Sequence, residues 1–283
     1  MNPSDKIELG KWCSLEIMRD TRVGCYLSDG TDEILLPLKY VPDTCEPGDK
    51  LTVFCYLDNE QRPIATTLEP LISRNEFGWL QVAETNQFGA FMEWGLEKHL
   101  LVPFREQATP MVAGKHYPVY CYLDPKSGRL AGSSRLERFL SNEGILLKSR
   151  DEVEIFCYRQ TDLGYEVVIN SRHKGLVFKD QVHATFGPGS RRKAYIKSVR
   201  KDGKIDVVLE PLGHQKLEPA AERIFEALEA AGGKLNLHDK SDPEAIKASL
   251  QMSKKLFKRG VGILYKAGKI ELGTDGISIK AGS

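Results

Sequence analysis

The sequence predicts a mainly β chain with a C-terminal α+β domain: three tandem five-stranded barrels followed by a winged helix. Three observations carry that prediction. Stretches of about 60 residues repeat one order of short strand patterns and turn signals three times. After Gly213 alternating patterns give way to amphipathic helix patterns. The chain then finishes on two short strand patterns around Gly273-Thr274-Asp275-Gly276.

The repeats can be laid side by side. EPGDKLTVFCYLDNEQRPIATT (Glu46 to Thr67) lines up with VAGKHYPVYCYLDPKSGRLAGSS (Val112 to Ser134), and more loosely with GPGSRRKAYIKSVRKDGKIDVVLE (Gly187 to Glu210). Each holds a Gly, an alternating strand, a turn and another strand. Upstream of each comes a pair of strands: VGCYLSDG then ILLPLKYV, FGAFMEWG then LLVPFREQ, LGYEVVIN then GLVFKDQV. β-branched and aromatic content, the alternation in Lys50 to Leu57 and turn residues such as Asp202-Gly203 favour strands over helices. Five strands per unit must close their edges, and a small Greek-key barrel of the OB type does so. The expected boundaries are 1–70, 71–140 and 141–212 for the barrels and 213–283 for the winged helix.

In the last segment Leu217 to Ala231 has apolar residues at Leu217, Ala221, Ile224, Phe225 and Leu228 and stops at Gly232-Gly233, which predicts an amphipathic helix. Ser241-Asp242-Pro243-Glu244 reads as a capping box opening a second helix that runs to about Leu250. Ser253 then caps a third, Lys254 to Lys266, with Gln251, Met252 and Ser253 as the turn of a helix-turn-helix. Lys269 to Leu272 and Ile277 to Lys280 make the terminal hairpin.

Composition sets limits on function. With 283 residues, 41% of them apolar, and 40 Lys and Arg against 39 Asp and Glu, this is an ordinary globular composition. No window approaches the roughly 20 apolar residues of a membrane span, and Met1 to Gly10 lacks a secretory signal pattern, so a cytoplasmic protein is expected. Six cysteines occur without a C-x-x-C pair, so reduced thiols are expected rather than disulfides or zinc. The histidines show no H-E-x-x-H spacing and no G-x-S-x-G is present, so no enzyme, cofactor or metal is indicated. Gly187 to Arg192 lacks the G-x-x-x-x-G-K-[ST] phosphate-loop pattern and reads as a turn between strands.

Charge is unevenly spread. Residues 1–70 carry seven Lys and Arg against thirteen Asp and Glu, whereas 150–212 and 213–283 each carry twelve against nine. A polyanion would therefore prefer the C-terminal half. Arg191, Arg192, Lys193, Lys197, Arg200, Lys201 and Lys204 fall within fourteen residues. Residues 245–270 hold seven positive charges and no negative one. At 100° per residue Lys254, Lys255, Lys258 and Arg259 share one helix face and Phe257, Val261 and Leu264 the other, as a recognition helix requires. Gly260 and Gly262 suggest a bend, or close packing against a neighbour.

The second repeat, with QVAETNQFGAFMEW, LLVPF and GKHYPVYCYLD, resembles an S1 domain, the OB-fold RNA-binding module of ribosomal protein S1. The first and third repeats resemble it less closely. Three such units before a winged helix, and the stretch SDPEAIKASLQMSKKLFKRGVGILYKAGKIEL, resemble the conserved virulence factor B (CvfB, YitL) family. That resemblance implies a non-catalytic, RNA-binding regulatory protein of bacterial type acting on gene expression post-transcriptionally. The S1 stacking face typically has two aromatics, a His, an Asp and an Arg. The second repeat reads Phe88, Phe91, Pro103, Asp124 and Arg129 at those places, and the first reads Val23, Tyr26, Pro37, Asp58 and Arg62. The third reads Leu163, Glu166, Phe178, Arg200 and Lys204, and none of the three has the His.

Exposed rings stack unpaired bases and flanking cations neutralise phosphates, so Phe88, Phe91 and Arg129 would supply both functions. The competing structural reading turns Phe91 into the barrel. The acidic first repeat is expected to be architectural. In the third, Phe178, Arg191, Arg192, Lys193, Arg200 and Lys204 are expected to touch nucleic acid, unless the charge run is a solvated face. The expected partner is single-stranded RNA, with no membrane. The alternatives are a transcription factor whose winged helix reads duplex DNA, and a scaffold docking on ribosome or polymerase subunits. Oligomeric state is not legible.

Overall fold

A repeated pair of short strands that must sit almost backbone to backbone sets the geometry of each barrel. The computed structural model describes residues 3–182, 185–211 and 219–280. The chain forms two compact units, Met1–Leu209 and Glu210–Ser283.

The first barrel contains β1 (Trp12–Thr21), β2 (Gly24–Ser28), β3 (Glu33–Pro37), β4 (Lys50–Leu57) and β5 (Pro63–Thr66). It closes in the order β1-β2-β3-β5-β4, with β3 and β5 parallel. The second contains β6 (Phe77–Asn86), β7 (Gly89–Glu93), β8 (Leu100–Pro103), β9 (His116–Leu123) and β10 (Leu130–Ser133). Its strand order is the same, but β8 and β10 share no ladder and meet through side chains. A Cβ on Gly132 there would stand 2.8 Å from the Val102 side chain. The third contains β11 (Glu152–Gln160), β12 (Gly164–Ile169), β13 (His173–Phe178), β14 (Arg191–Val199) and β15 (Ile205–Val208), closed like the first. Mainly β architecture with three five-stranded barrels is thus what the repeats specify.

The repeat extends to irregularities. Each first strand carries a bulge at the same place, between Ile17 and Arg19, Val82 and Glu84, and Cys157 and Arg159. Bulges sharpen twist and curl a sheet toward closure. Each second strand opens on a glycine with positive φ, Gly24, Gly89 or Gly164. A Cβ there would lie 2.0, 2.3 or 2.2 Å from a carbonyl oxygen of the neighbouring strand. Only glycine allows that approach.

Alternation places every second residue inside. Ala90 and Met92 are fully buried while Phe91 between them is half-exposed, so the reading that turns Phe91 into the barrel does not hold. The first two barrels are joined through Phe54, whose ring meets Trp12 at 5.7 Å and Trp94 at 5.9 Å, edge to face in both cases. Phe77, Leu136, Phe156, Tyr158 and Val168 form a second shared core between the middle and third barrels. The Gly187 to Ser190 segment is a turn, as expected, closed by Ser190 N–H donating to the Gly187 carbonyl at 3.0 Å. Its Gly189 lies flat against Trp79. All six cysteines are free thiols, and only Cys45 is not fully buried.

In the C-terminal unit α1 (Pro219–Ala230), a two-residue strand β16 (Lys234–Leu235), α2 (Pro243–Leu250) and α3 (Lys254–Lys266) precede the hairpin β17 (Ile270–Leu272) and β18 (Ile277–Ile279). The expected starting residues Gly213 and Leu217 lie outside the described residues. β16 pairs with β18 and was missed from sequence because two residues carry no alternation. The cap of α2 is shifted by one from the expected box. Asp242, not Ser241, is the N-cap, accepting from Glu244 N–H at 3.3 Å, while Ser241 Oγ accepts from His238 N–H at 2.9 Å. Ser253 caps α3 as read, and Gln251 turns the chain between the helices with φ +49°. Gly260 explains itself by close packing, since a Cβ there would meet Ile224 at 2.6 Å.

Candidate nucleic-acid interface

The β6–β7 turn of the middle barrel has one role in packing and another at the surface. Asn86 Oδ1 accepts from Phe88 N–H at 2.8 Å and fixes the turn, while the following Gly89 presses against β8. The ring of Phe88 is left outside, 61% exposed. Phe91, two residues into β7, stands on the same outer surface.

Below them runs a groove of about 570 Å³. Phe88, Phe91, Pro103, Asp124 and Arg129, which are distant in sequence, all line it. The β9–β10 turn brings the last two there, with Asp124 N–H donating to the Arg129 carbonyl at 2.8 Å. The Ser127 hydroxyl, donating to Asp124 Oδ2 at 2.8 Å, holds that carboxyl below its ordinary range. Arg129 is exposed and has no carboxylate within 4 Å among the described residues.

Sequence reasoning missed four further contributors to the groove. His99 lines it just before β8, close in the chain to Pro103, where the S1 pattern has its His. Gln61 and Asn59 come from the first barrel, whose β4–β5 turn walls one side. Lys98 donates from Nζ to the Asp58 carbonyl at 2.6 Å, and burial followed by the nearby Arg129 charge lowers its ammonium pKa. Lys98 and Arg129 share the groove with the carboxylates of Glu84, Glu97 and Asp124. The signal for Lys98 and His99 was their place before β8; nothing local announced Asn59 or Gln61.

The corresponding places in the other barrels are chemically closed. In the first, Arg62 donates from Nε and Nη2 to Asp58 Oδ2 at 2.9 and 2.8 Å and also pairs with Glu60 at 2.9 Å. The guanidinium of Arg19 covers the Tyr26 ring at 4.3 Å. In the third, Glu166 stands where Phe91 stands and pairs with Arg159 and, at 3.2 Å, with Lys174. Burial alone would raise the Glu166 carboxyl, but hydrogen bonds from those two cations hold it below its ordinary value.

The remaining cations of the third repeat are dispersed over separate contacts. Arg200 is bonded to Asp206 at 2.8 and 2.9 Å and rests over the half-buried Phe178 ring at 5.8 Å. Lys204 pairs with Asp202 at 2.8 Å and Lys193 with Glu152 at 2.6 Å. Arg191 donates to the Phe77 carbonyl of the middle barrel and covers Phe156 at 4.9 Å, so it fastens two barrels together. Arg192 donates to the Leu209 carbonyl at 3.2 Å. Arg191, Arg192 and Lys193 line a separate cleft of about 330 Å³, away from Phe178, Arg200 and Lys204. On α3, Phe257, Val261 and Leu264 are buried, Lys255, Lys258 and Arg259 are exposed, and Lys254 is half-buried.

The S1 domain family model matches residues 9–68 and the CvfB-like winged helix domain model matches residues 222–279. The S1 match therefore falls on the first barrel, whereas the aromatic site pattern is fullest in the second. The chain is similar to the uncharacterized protein YitL of Bacillus subtilis, 29% identical over 94% of this chain and 92% of that one. It is also similar to conserved virulence factor B of Staphylococcus aureus, 29% identical over 84% of this chain and 81% of that protein. Among solved structures, a multidomain protein with nucleic acid binding domains from Streptococcus pneumoniae covers 96% of this chain and 98% of its own. It is 25% identical, with a TM-score of 0.45.

Proposed function

Because this chain is similar to YitL and conserved virulence factor B over most of its length and matches S1 and CvfB-like winged helix domain models, we propose that its ligand is single-stranded RNA. The RNA is held without chemistry in the groove of the middle barrel, in the cytoplasm, to adjust gene expression post-transcriptionally. One observation supports this most directly: Phe88 and Phe91 stand open above a groove whose Arg129 and Lys98 lack a carboxylate partner among the described residues. A duplex hides its base faces, so bare rings favour an unpaired strand. No helix of the described residues is long and apolar enough to cross a membrane.

The test is fluorescence anisotropy with a labelled 12-mer oligoribonucleotide over a salt series. Affinity is expected to fall steeply with salt, and Phe88→Ala with Arg129→Ala to weaken binding roughly 30-fold or more, about 2 kcal/mol or above. Salt-independent binding, unchanged in the double variant, overturns the proposal.

A second reading rests on α3, which shows Lys255 and Lys258 opposite its buried face as a groove-reading helix would. Duplex DNA that displaces the oligoribonucleotide at lower concentration than unlabelled RNA does would favour it.

A further inference from the structure

Phe104 is an exposed aromatic that the S1 pattern does not include. In the middle barrel β7 and β8 are antiparallel, with Gly89 opposite Pro103 and Ala90 opposite Val102. β8 ends at Pro103; Phe104 opens the 3-10 turn Phe104–Glu106 that follows, and Phe88 directly precedes Gly89 at the start of β7, so the two phenylalanines flank the last pair of that ladder. The other barrels show the same junction directly, since Leu38 N–H donates to the Val23 carbonyl at 3.0 Å and Lys179 N–H to the Leu163 carbonyl at 3.2 Å. Phe104 is 58% exposed, almost as open as Phe88.

The fold leaves these two positions outside whatever occupies them. In the first barrel they are Val23 and Leu38, 60% and 62% exposed, and in the third Leu163 and the exposed Lys179, so packing does not call for a ring at either. Two rings occur together only in the barrel whose Arg129 is unpaired. The two chain neighbours of Phe104 touch the groove: Pro103 lines it, and Arg105 Nη2 lies 3.9 Å from Oδ2 of the groove residue Asp124. Arg105, the next residue in the chain, is 61% exposed at its side chain and lies 3.9 Å from Glu106 as well.

We infer that Phe104 is a second stacking platform, so that the strand in the groove lays one base on Phe88 and Phe91 and the neighbouring base on Phe104, with Arg105 close to the phosphate between them. This rests on the function proposed above and adds a residue and a direction to it: the strand leaves the groove over the β8 end. An unpaired polynucleotide is the occupant that suits alternating rings and cations, since each base offers a flat face and each linkage a negative charge.

The experiment measures the affinity of the full chain for the labelled 12-mer in Phe104→Ala, Phe104→Leu, Phe104→Trp and Phe88→Ala, with thermal melts by circular dichroism as a folding control. Phe104→Ala and Phe104→Leu are expected to lose roughly five- to a hundredfold and Phe104→Trp to keep wild-type affinity, with unchanged melting. Loss in Phe88→Ala with full affinity in Phe104→Ala overturns this inference and leaves the groove proposal standing. Full affinity in both overturns the two together. Full affinity in Phe104→Leu with loss in Phe104→Ala shows an apolar contact and overturns stacking. Wild-type RNA affinity in Phe104→Ala together with loss of a co-purifying protein makes this face a protein-docking surface, which also overturns it.

Discussion

The middle and third barrels differ at five corresponding surface positions while sharing bulges, turn glycines and strand order. In the middle barrel those positions hold Phe88, Phe91, Pro103, Asp124 and Arg129, and the arginine is left without a carboxylate. In the third, Glu166 gathers Arg159 and Lys174, and Arg200 is locked to Asp206. The third barrel carries more positive charge in sequence, yet its charge is largely spent internally. Net charge therefore says less about a binding face than which cations lack an anion within reach.

Breaking the shared scaffold should have the largest effect. Gly89→Ala sets a Cβ against the Val102 carbonyl at φ +150° and is expected to cost about 3 kcal/mol, whereas Gly114→Ala, at φ +78° in open space, should cost about 1 kcal/mol. Urea denaturation followed by tryptophan fluorescence checks both. Equal losses would mean that the close approach of β7 to β8 does not govern the barrel.

Converting one barrel into the other sharpens the comparison. Leu163→Phe with Glu166→Phe restores the two rings and removes one of the two carboxylates, Glu166 and Glu137, that hold Arg159 and Lys174. Affinity for the 12-mer should rise roughly three- to tenfold. Val23→Phe in the first barrel should gain nothing, because Arg62 remains between Asp58 and Glu60. A gain there in an anisotropy titration would show that a ring suffices without a free cation.

The smallest effect is acid sensitivity of the ion cluster in the third barrel. Glu166 and Glu137 titrate below the ordinary carboxyl value of 4.5 when folded, held down by Lys174 and Arg159. Their contribution is complete above that value and is lost as pH falls through the lower folded values. Glu166→Gln should flatten the acid limb by about 1 kcal/mol or less, read from urea midpoints at neutral pH and near pH 3. An unchanged acid limb would remove the cluster from the stability of this barrel.

Much of this was legible in residues close together in the chain. Turn glycines, strand alternation, Ser253 before α3 and the apolar stripe of Phe257, Val261 and Leu264 are local patterns, and each appears in the fold where its spacing puts it. Asp242 displaced Ser241 as the cap of α2 because both are good caps one residue apart, and the Ser241 hydroxyl was taken by the preceding turn. Of the site, the five pattern positions could be named from the repeat, but the place of Phe104 just past the end of the β7–β8 ladder required the strand pairing.

By itself the sequence determined three barrels, a winged helix and the aromatic pair in the second repeat, because alternation, turn glycines and caps are set by neighbours a few residues apart. Only the tertiary structure decided which cations remain available. Arg191 is held by Phe77 from more than a hundred residues away, Lys98 is drawn to the Asp58 carbonyl of another barrel, and Arg200 meets Asp206 across a turn. Charge pairing acts through distance in space, which spacing along the chain does not encode.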